Sequence, residues 1–167
     1  MAAKLVDEVK FCTRCGSSLT HKQRAGRLRP VCPECGWIYF PDPKVAVAAV
    51  IKTGGKILLV RRAVNPYKGK WTLPAGFVDA GEAPVDALER ECFEETGLSV
   101  QVNELLDVVY GQEHPGGAHI LIVYKAALHS GRIRAGDDVD AVQFFHPEDF
   151  PPIAFRTTRM VLEKMPR

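Results

Sequence analysis

Apolar positions in this chain gather into short runs separated by turn residues, and most of these runs lie beyond residue 44. Val45–Lys52 is apolar and β-branched enough for a strand. Thr53-Gly54-Gly55 interrupts it as a tight turn. Lys56–Arg61 is a second run, so the two read as a hairpin. Asn65–Lys70 is a loop, and Trp71–Pro74 leads into Ala75-Gly76-Phe77-Val78. A helix is expected from Ala83, with Pro84 in its first turn, Asp86 at its positive end and Gly97 just past its last turn. Val100–Tyr110 and His119–Leu128 are strand candidates, and Ala141–Phe145 is a shorter one. Arg156–Met165 reads as a closing amphipathic helix. Residues 11–40 are different: rich in Cys, Gly and Arg, with little periodicity. The join is Phe40-Pro41-Asp42-Pro43, whose prolines disfavour a continuing helix or central strand. The chain therefore divides into a small unit, 1–40, and a main domain, 41–167.

Composition fits that division. The 167 residues suffice for one ordinary domain plus an appendage, and 46% hydrophobic with 25% charged residues permits a real core. There is no apolar run of about 18 residues, so no membrane helix is expected. Met1–Lys10 carries Lys4, Asp7, Glu8 and Lys10 and no apolar leader region, so the cytoplasm is the expected compartment. Net charge is only +2, but residues 1–44 hold eight Lys/Arg against four Asp/Glu. That bias suits a polyanion or, more plainly, a solvated loop.

Two cysteine pairs change the picture for the small unit. Cys12-x-x-Cys15-Gly16 and Cys32-Pro33-x-Cys35-Gly36 are separated by 16 residues, a spacing that suits a four-thiolate zinc site. Each following glycine tolerates the positive φ such a turn needs. Four thiolates close a tetrahedral shell, so one Zn²⁺ per chain would be structural. A segment of about 30 residues buries too little core to fold alone, and metal binding would supply the difference. Disulfides are the alternative, disfavoured because nothing else suggests secretion. Between the pairs, Lys22–Arg29 forms a basic hairpin tip that could meet nucleic acid, although it lacks interleaved aromatics for stacking. The fifth cysteine, Cys92, lies on the predicted helix beside Leu88 and reads as buried and apolar.

The predicted helix carries the chemistry. Glu91 and Glu95 are neighbours on one face at about 100° per residue, with Glu94 about 60° from Glu91. Three carboxylates in that arc repel one another unless cations occupy it, and hard divalent ions such as Mg²⁺ or Mn²⁺ are natural occupants. The arc borders an apolar stripe of Val85, Leu88 and Cys92, which places the ions at the core's edge. Arg90, inside the acidic cluster, is expected to orient a glutamate through a bidentate contact.

These residues also form a register. Gly76, Glu82, Arg90, Glu91, Glu94, Glu95 and Gly97, with Cys92 and Leu98 at the two bulky positions, follow Gly-x5-Glu-x7-Arg-Glu-U-x-Glu-Glu-x-Gly-U. Seven fixed positions arise by chance at roughly 10⁻⁸ per starting point. The chain thus resembles the Nudix family, and with its Cys pairs a zinc-ribbon branch containing NADH pyrophosphatases and short ADP-ribose or FAD pyrophosphatases. The resemblance implies an α+β fold, an α/β/α sandwich around a mixed sheet preceded by the ribbon. It implies cleavage of the diphosphate of an ADP-ribose-, FAD- or NAD(H)-like nucleotide, giving AMP and a phosphorylated product. It also implies catalytic Mg²⁺ or Mn²⁺ on Glu91, Glu94, Glu95 and the Ala75 carbonyl, with Asp138 in Asp137-Asp138-Val139-Asp140 matching a further acid before a late strand. Relatives are often dimers. Val109-Tyr110-Gly111-Gln112-Glu113-His114-Pro115 departs from the Ser-Gln-Pro-Trp-like stretch of NADH pyrophosphatases. Tyr67, Trp71, Phe77, Tyr110 and Phe155 are candidates to contact substrate. Two other readings stand beside the leading one. A hydrolase of nucleotide-capped RNA would use the ribbon as its RNA contact. A non-catalytic nucleotide-sensing regulator would keep the fold alone, and the intact glutamates argue against it.

Overall fold

The computed structural model describes residues 9–165; Met1–Glu8, which hold most of the charged N-terminal segment discussed above, lie outside them, as do Pro166 and Arg167. The chain forms two units, Met1–Asp42 and Pro43–Arg167. In the first, β1 (Thr20–Arg24) and β2 (Arg27–Val31) make an antiparallel hairpin. Its two-residue turn, Ala25-Gly26, has positive φ at both positions, 49° and 73°. That conformation matches the twist of the flanking strands, and Gly26 adopts it freely.

The second unit is organised by β3 (Val45–Thr53). It pairs in parallel with β8 (Ile120–Gly131) and antiparallel with β4 (Lys56–Arg62) and β6 (Ala75–Phe77). β4 also carries β5 (Trp71–Thr72) and β9 (Val139–Phe145), and β7 (Leu98–Tyr110) lies antiparallel to β8. One parallel pair among antiparallel ones makes the sheet mixed, with seven strands. Side chains alternate across a strand, and β3 uses both faces. Ala46, Ala48 and Val50 join Val161 and Leu162 of helix α2 (Arg156–Glu163) in one core. Val47, Ala49 and Ile51 join Ala87, Leu88 and Cys92 of helix α1 (Pro84–Thr96) in the other. The result is the expected α/β/α sandwich. Leu88 is fully buried, and its truncation to alanine would cost about 2–5 kcal/mol.

Helix α1 begins with Pro84 in its first turn, where the missing N–H has no helical partner in any case. It ends at Gly97, left-handed at φ 70°, whose N–H donates to the Phe93 carbonyl at 2.8 Å. The expected stripe needs one correction. Val85 is 38% exposed, because burial on that face starts only at Ala87 and continues through Leu88, Cys92, Glu95 and Thr96. Strands β7 and β8 run longer than their apolar runs, because the ladder continues to a Leu98–Gly131 pair. Helix α2 stops at Glu163, short of Met165.

Candidate active site and metal centre

In the first unit the two Cys-x-x-Cys turns bring four sulfurs within 4.8 Å of one another. Sγ–Sγ separations are 3.6 Å for Cys12–Cys35, 3.5 Å for Cys15–Cys32 and 3.7 Å for Cys15–Cys35. A tetrahedral ion with Zn–S bonds of about 2.3 Å needs edges of about 3.8 Å. The donor set therefore suits zinc, with no bond to open, since all four cysteines are free thiols. Gly16 and Gly36 hold φ of 75° and 73°, and their N–H groups return to the Cys12 and Cys32 carbonyls. On the hairpin, Lys22 stands opposite Arg29 and Arg24 opposite Arg27. Arg29 lies 4.4 Å from the ring centre of Phe40.

In the second unit the carboxylates of α1 meet strand β6. Glu95 is 4% exposed, and its Oε2 accepts the Ala75 N–H at 3.0 Å. Burial pushes its carboxyl well above the usual range. The Ala75 N–H offsets part of this, while the Asp138, Glu91 and Asp137 charges add to it. Glu91 is also raised, by burial first, with the Arg90 guanidinium pulling the other way. Gly76 makes room for it: a Cβ at Gly76 would overlap the Glu91 carboxyl group. Cys92, behind them, has its thiol pushed up by burial and then by the Glu95, Glu91 and Glu89 charges, so it offers no nucleophile.

Arg90 ties the cluster together. Its Nε and Nη2 donate to the two Glu82 oxygens at 2.8 and 2.9 Å, the bidentate geometry expected for it. Nη1 donates to Glu91 at 2.8 Å and Glu94 at 3.1 Å, and Nη2 also reaches the Phe77 carbonyl at 3.1 Å. Hydrogen bonds from Arg90 and from the Asp79 N–H hold Glu82 down at about 2. Glu82 thus buttresses Arg90 from outside the acidic arc.

A cavity of about 450 Å³ opens beside this cluster, within the usual range for a small-molecule site. Arg90, Glu91, Glu95, Asp138 and Phe77 line it, together with Gly76 and Ala75. So does Asp137, held at φ 50°, which the sequence reading passed over in favour of its neighbour. Phe155 lines it as well. Glu94, with a 45% exposed side chain, is not among the lining residues. Neither are three of the aromatic candidates. Trp71 packs edge-on against Phe145 at 4.8 Å in the core below α2. Tyr67 stands edge-on to Phe155 at 5.3 Å, and Tyr110 is 65% exposed with its hydroxyl donating to Gln112. Residues the sequence reading did not single out also line the cavity, among them Arg62, His114 and Thr157. Glu113, beside it, accepts the Arg156 and Thr157 N–H groups at 2.6 and 2.7 Å, capping α2 from another element. No periodicity marks such a contact; the acid next to a His-Pro-Gly-Gly loop is its only trace.

Comparison with known proteins agrees with this geometry. A family model of the NUDIX domain matches residues 41–163, and one described as Nudix N-terminal matches residues 10–40. An ADP-ribose pyrophosphatase of Methanocaldococcus jannaschii is 38% identical over 127 residues, covering 75% of each chain. An NAD-capped RNA hydrolase NudC of Haemophilus influenzae is 36% identical over 94 residues, 55% of this chain but 35% of that protein. Among solved structures, a NUDIX hydrolase from Nitrosomonas europaea superposes with a TM-score of 0.84 at 33% identity, covering 93% of this chain and 89% of that one. Among the described residues, no helix is long and apolar enough to cross a membrane. The residue register, the sandwich fold, the glutamate cluster and the family models converge, and the chain belongs to the Nudix hydrolase family.

Proposed function

We propose that this protein hydrolyses the diphosphate bond of a nucleoside-diphosphate derivative, with ADP-ribose as the leading substrate and FAD and NAD(H) as the nearest alternatives, releasing AMP and a phosphorylated remainder. The observation that carries this reading is the convergence of Glu91, Glu95, Asp137 and Asp138 on one wall of a 450 Å³ cavity. The Methanocaldococcus relative, an ADP-ribose pyrophosphatase, favours ADP-ribose over the other dinucleotides.

Glu91, Glu95 and Asp138, with the Ala75 carbonyl and with Glu94 at the outer side, are the residues that would hold Mg²⁺ or Mn²⁺. Buried carboxylates with raised pKa fit such ions, since a divalent cation removes the penalty of ionising them together. When bound, the ions would offset charge on the diphosphate oxygens and lower the pKa of an attacking water. The chain's own part is positional. Ala75 N–H fixes the Glu95 carboxyl, Gly76 lets Glu91 lie against the strand, and Glu82 aims Arg90 at Glu91. Residues of β3, β6 and the β7–β8 loop complete the cavity around the acidic cluster.

A panel of ADP-ribose, FAD, NADH and other diphosphates with Mg²⁺ or Mn²⁺ tests the proposal. No turnover of any of them rejects it. Glu95→Gln and Glu94→Gln together are expected to leave a folded protein with a large loss of rate, and unchanged activity rejects the ion assignment. The NudC relatives and the exposed cations of the β1–β2 hairpin support a second reading, cleavage of nucleotide-capped RNA. It predicts binding that weakens steeply with salt for capped RNA and not for the free dinucleotide.

A further inference from the structure

The cavity carries two chemistries. One is the acidic wall. The other is a group of rings and a guanidinium on the β7–β8 loop, the start of α2 and the end of β4, to which the acidic wall assigns no particular part of the substrate. Glu113 joins the loop to the helix by accepting the first-turn N–H groups of Arg156 and Thr157. Phe155, at the N-cap position, has no side chain able to do this itself. The neighbouring residues on the two sides, His114 and Phe155, consequently face each other with centroids 6.1 Å apart and planes 30° from parallel. Both line the cavity.

Each ring is held in place. The His114 Nδ1 lies 2.9 Å from the Pro115 carbonyl, an acceptor only, so that nitrogen bears the proton. A Cβ at Gly117 would come within 2.9 Å of the His114 Nε2, so the glycine leaves the imidazole its space. Tyr67 abuts Phe155 edge-on. Arg62 lies over it at 5.2 Å, steadied by its Nε bond to the Pro66 carbonyl at 2.7 Å. Rings this well supported cost little entropy on meeting a flat ligand. At roughly 3.4 Å per stacked layer, a planar ring between two others needs about 6.8 Å, so the two rings, with centroids 6.1 Å apart and planes 30° from parallel, must move apart and turn toward parallel to admit one.

We propose that His114 and Phe155 receive the nucleobase of the substrate between them. This rests on the diphosphate-hydrolase reading for the identity of the ligand, and it assigns the end of the cavity at which the base lies. Of the aromatic candidates, Trp71, Tyr67 and Tyr110 lie off the cavity lining, whereas Phe155 lines it and is paired with a histidine that belongs to no motif.

The test is direct binding of AMP and of ribose 5-phosphate to the full chain, with Mg²⁺ present. The wild-type protein is expected to bind AMP more tightly than ribose 5-phosphate. Phe155→Leu, which keeps apolar bulk and removes the ring, is expected to weaken AMP binding by about tenfold to a hundredfold. Its affinity for ribose 5-phosphate stays within twofold, and Phe155→Tyr restores AMP binding. In parallel, the imidazole proton resonances of His114, identified by their loss in His114→Asn, are expected to move upfield with AMP and not with ribose 5-phosphate. AMP affinity of Phe155→Leu within twofold of wild type, or an unmoved His114 signal at saturating AMP, overturns the proposal. ADP-ribose turnover is measured separately on the wild type. Its absence alongside intact AMP binding and a shifted His114 overturns the hydrolytic reading and leaves the base site standing.

Discussion

Replacing Gly76 by alanine adds one methyl group where β6 passes the Glu91 carboxylate. The backbone there is ordinary extended strand, so alanine itself is tolerated. The new Cβ, however, occupies the space of the Glu91 carboxyl, which must retreat by roughly 1 Å or more to regain normal contact. That movement breaks the 2.8 Å bond from Arg90. Arg90 keeps both Glu82 contacts and the Phe77 carbonyl, so the charge is not orphaned. Losing one charge-assisted bond costs about 1.5–3 kcal/mol, offset by about 0.5–1 kcal/mol from removing a strand glycine. The net, about 1–2 kcal/mol, is a Tm fall of several degrees that leaves the protein folded at 25 °C. A catalytic group displaced by about 1 Å loses on the order of a hundredfold in rate, or about 2.7 kcal/mol of transition-state stabilisation. Activity is therefore expected to fall much further than stability, with the loss in kcat rather than KM. Thermal unfolding and steady-state kinetics on ADP-ribose check this. A double-mutant cycle with Glu91→Gln sharpens it, because a glycine acting only through Glu91 adds little once Glu91 is altered. A Gly76→Ala enzyme within about threefold of wild-type kcat refutes the reasoning, as does full additivity in the cycle.

Three further outcomes follow from other contacts. The purified protein is expected to hold about one zinc per chain after dialysis, and Cys32→Ser to lose it together with the dispersed amide signals of residues 9–42; retained zinc in the variant refutes a four-thiolate centre. Glu113→Ala is expected to destabilise the second unit by about 1 kcal/mol or somewhat more through loss of the α2 cap, read by urea titration. Burial raises the Glu113 carboxyl, but hydrogen bonds from Thr157 and the Arg156 N–H outweigh it, so the net shift is downward. Its contribution is accordingly present at neutral pH and disappears as pH falls through its lowered folded-state value, so variant and wild type converge in acid. Glu82, held at about 2, behaves alike: its stabilisation is complete above the ordinary carboxylate range and is lost between there and about pH 2. Glu82→Gln should flatten that part of the Tm-against-pH curve, and an unchanged acid limb would contradict the Arg90 pairing.

The fold was legible wherever a local rule sets the outcome. Pro84 and Gly97 bracket α1 because one lacks an N–H and the other accepts left-handed backbone. The β3 run and the cysteine spacing are similarly local. The site was legible on α1, where helical periodicity alone places Glu91 beside Glu95. It was less so where strands and loops supply the partners. Val85 reads as core by angle yet is exposed, since burial depends on where the sheet begins under the helix. The resemblance singles out Asp138, yet Asp137 beside it lines the cavity as well, because its left-handed backbone is not readable from the sequence. Trp71, Tyr67 and Tyr110 have the right chemistry for a base but lie off the cavity lining, because ring orientation is decided by tertiary neighbours such as Phe145 and Phe155. Glu113 and His114 required knowing that a loop lies against the start of α2.

That loop contact ties one wall of the cavity to a distant part of the chain. Helix α2 has eight residues, too few to persist alone in water, and its first-turn N–H groups wait for an acid 43 and 44 positions earlier. The loop between β7 and β8 must lie against the start of α2 for those N–H groups to be capped. The wall of the cavity that holds Phe155 thus depends on a long-range contact, and the acidic wall does so in part, since Asp137 and Asp138 join Glu91 and Glu95 from the segment before β9. Nascent chains released short of Arg156 would present a carboxylate cluster with no opposing side. Hydrogen exchange at the Thr157 amide is accordingly a sensitive gauge of whether the loop and helix have met.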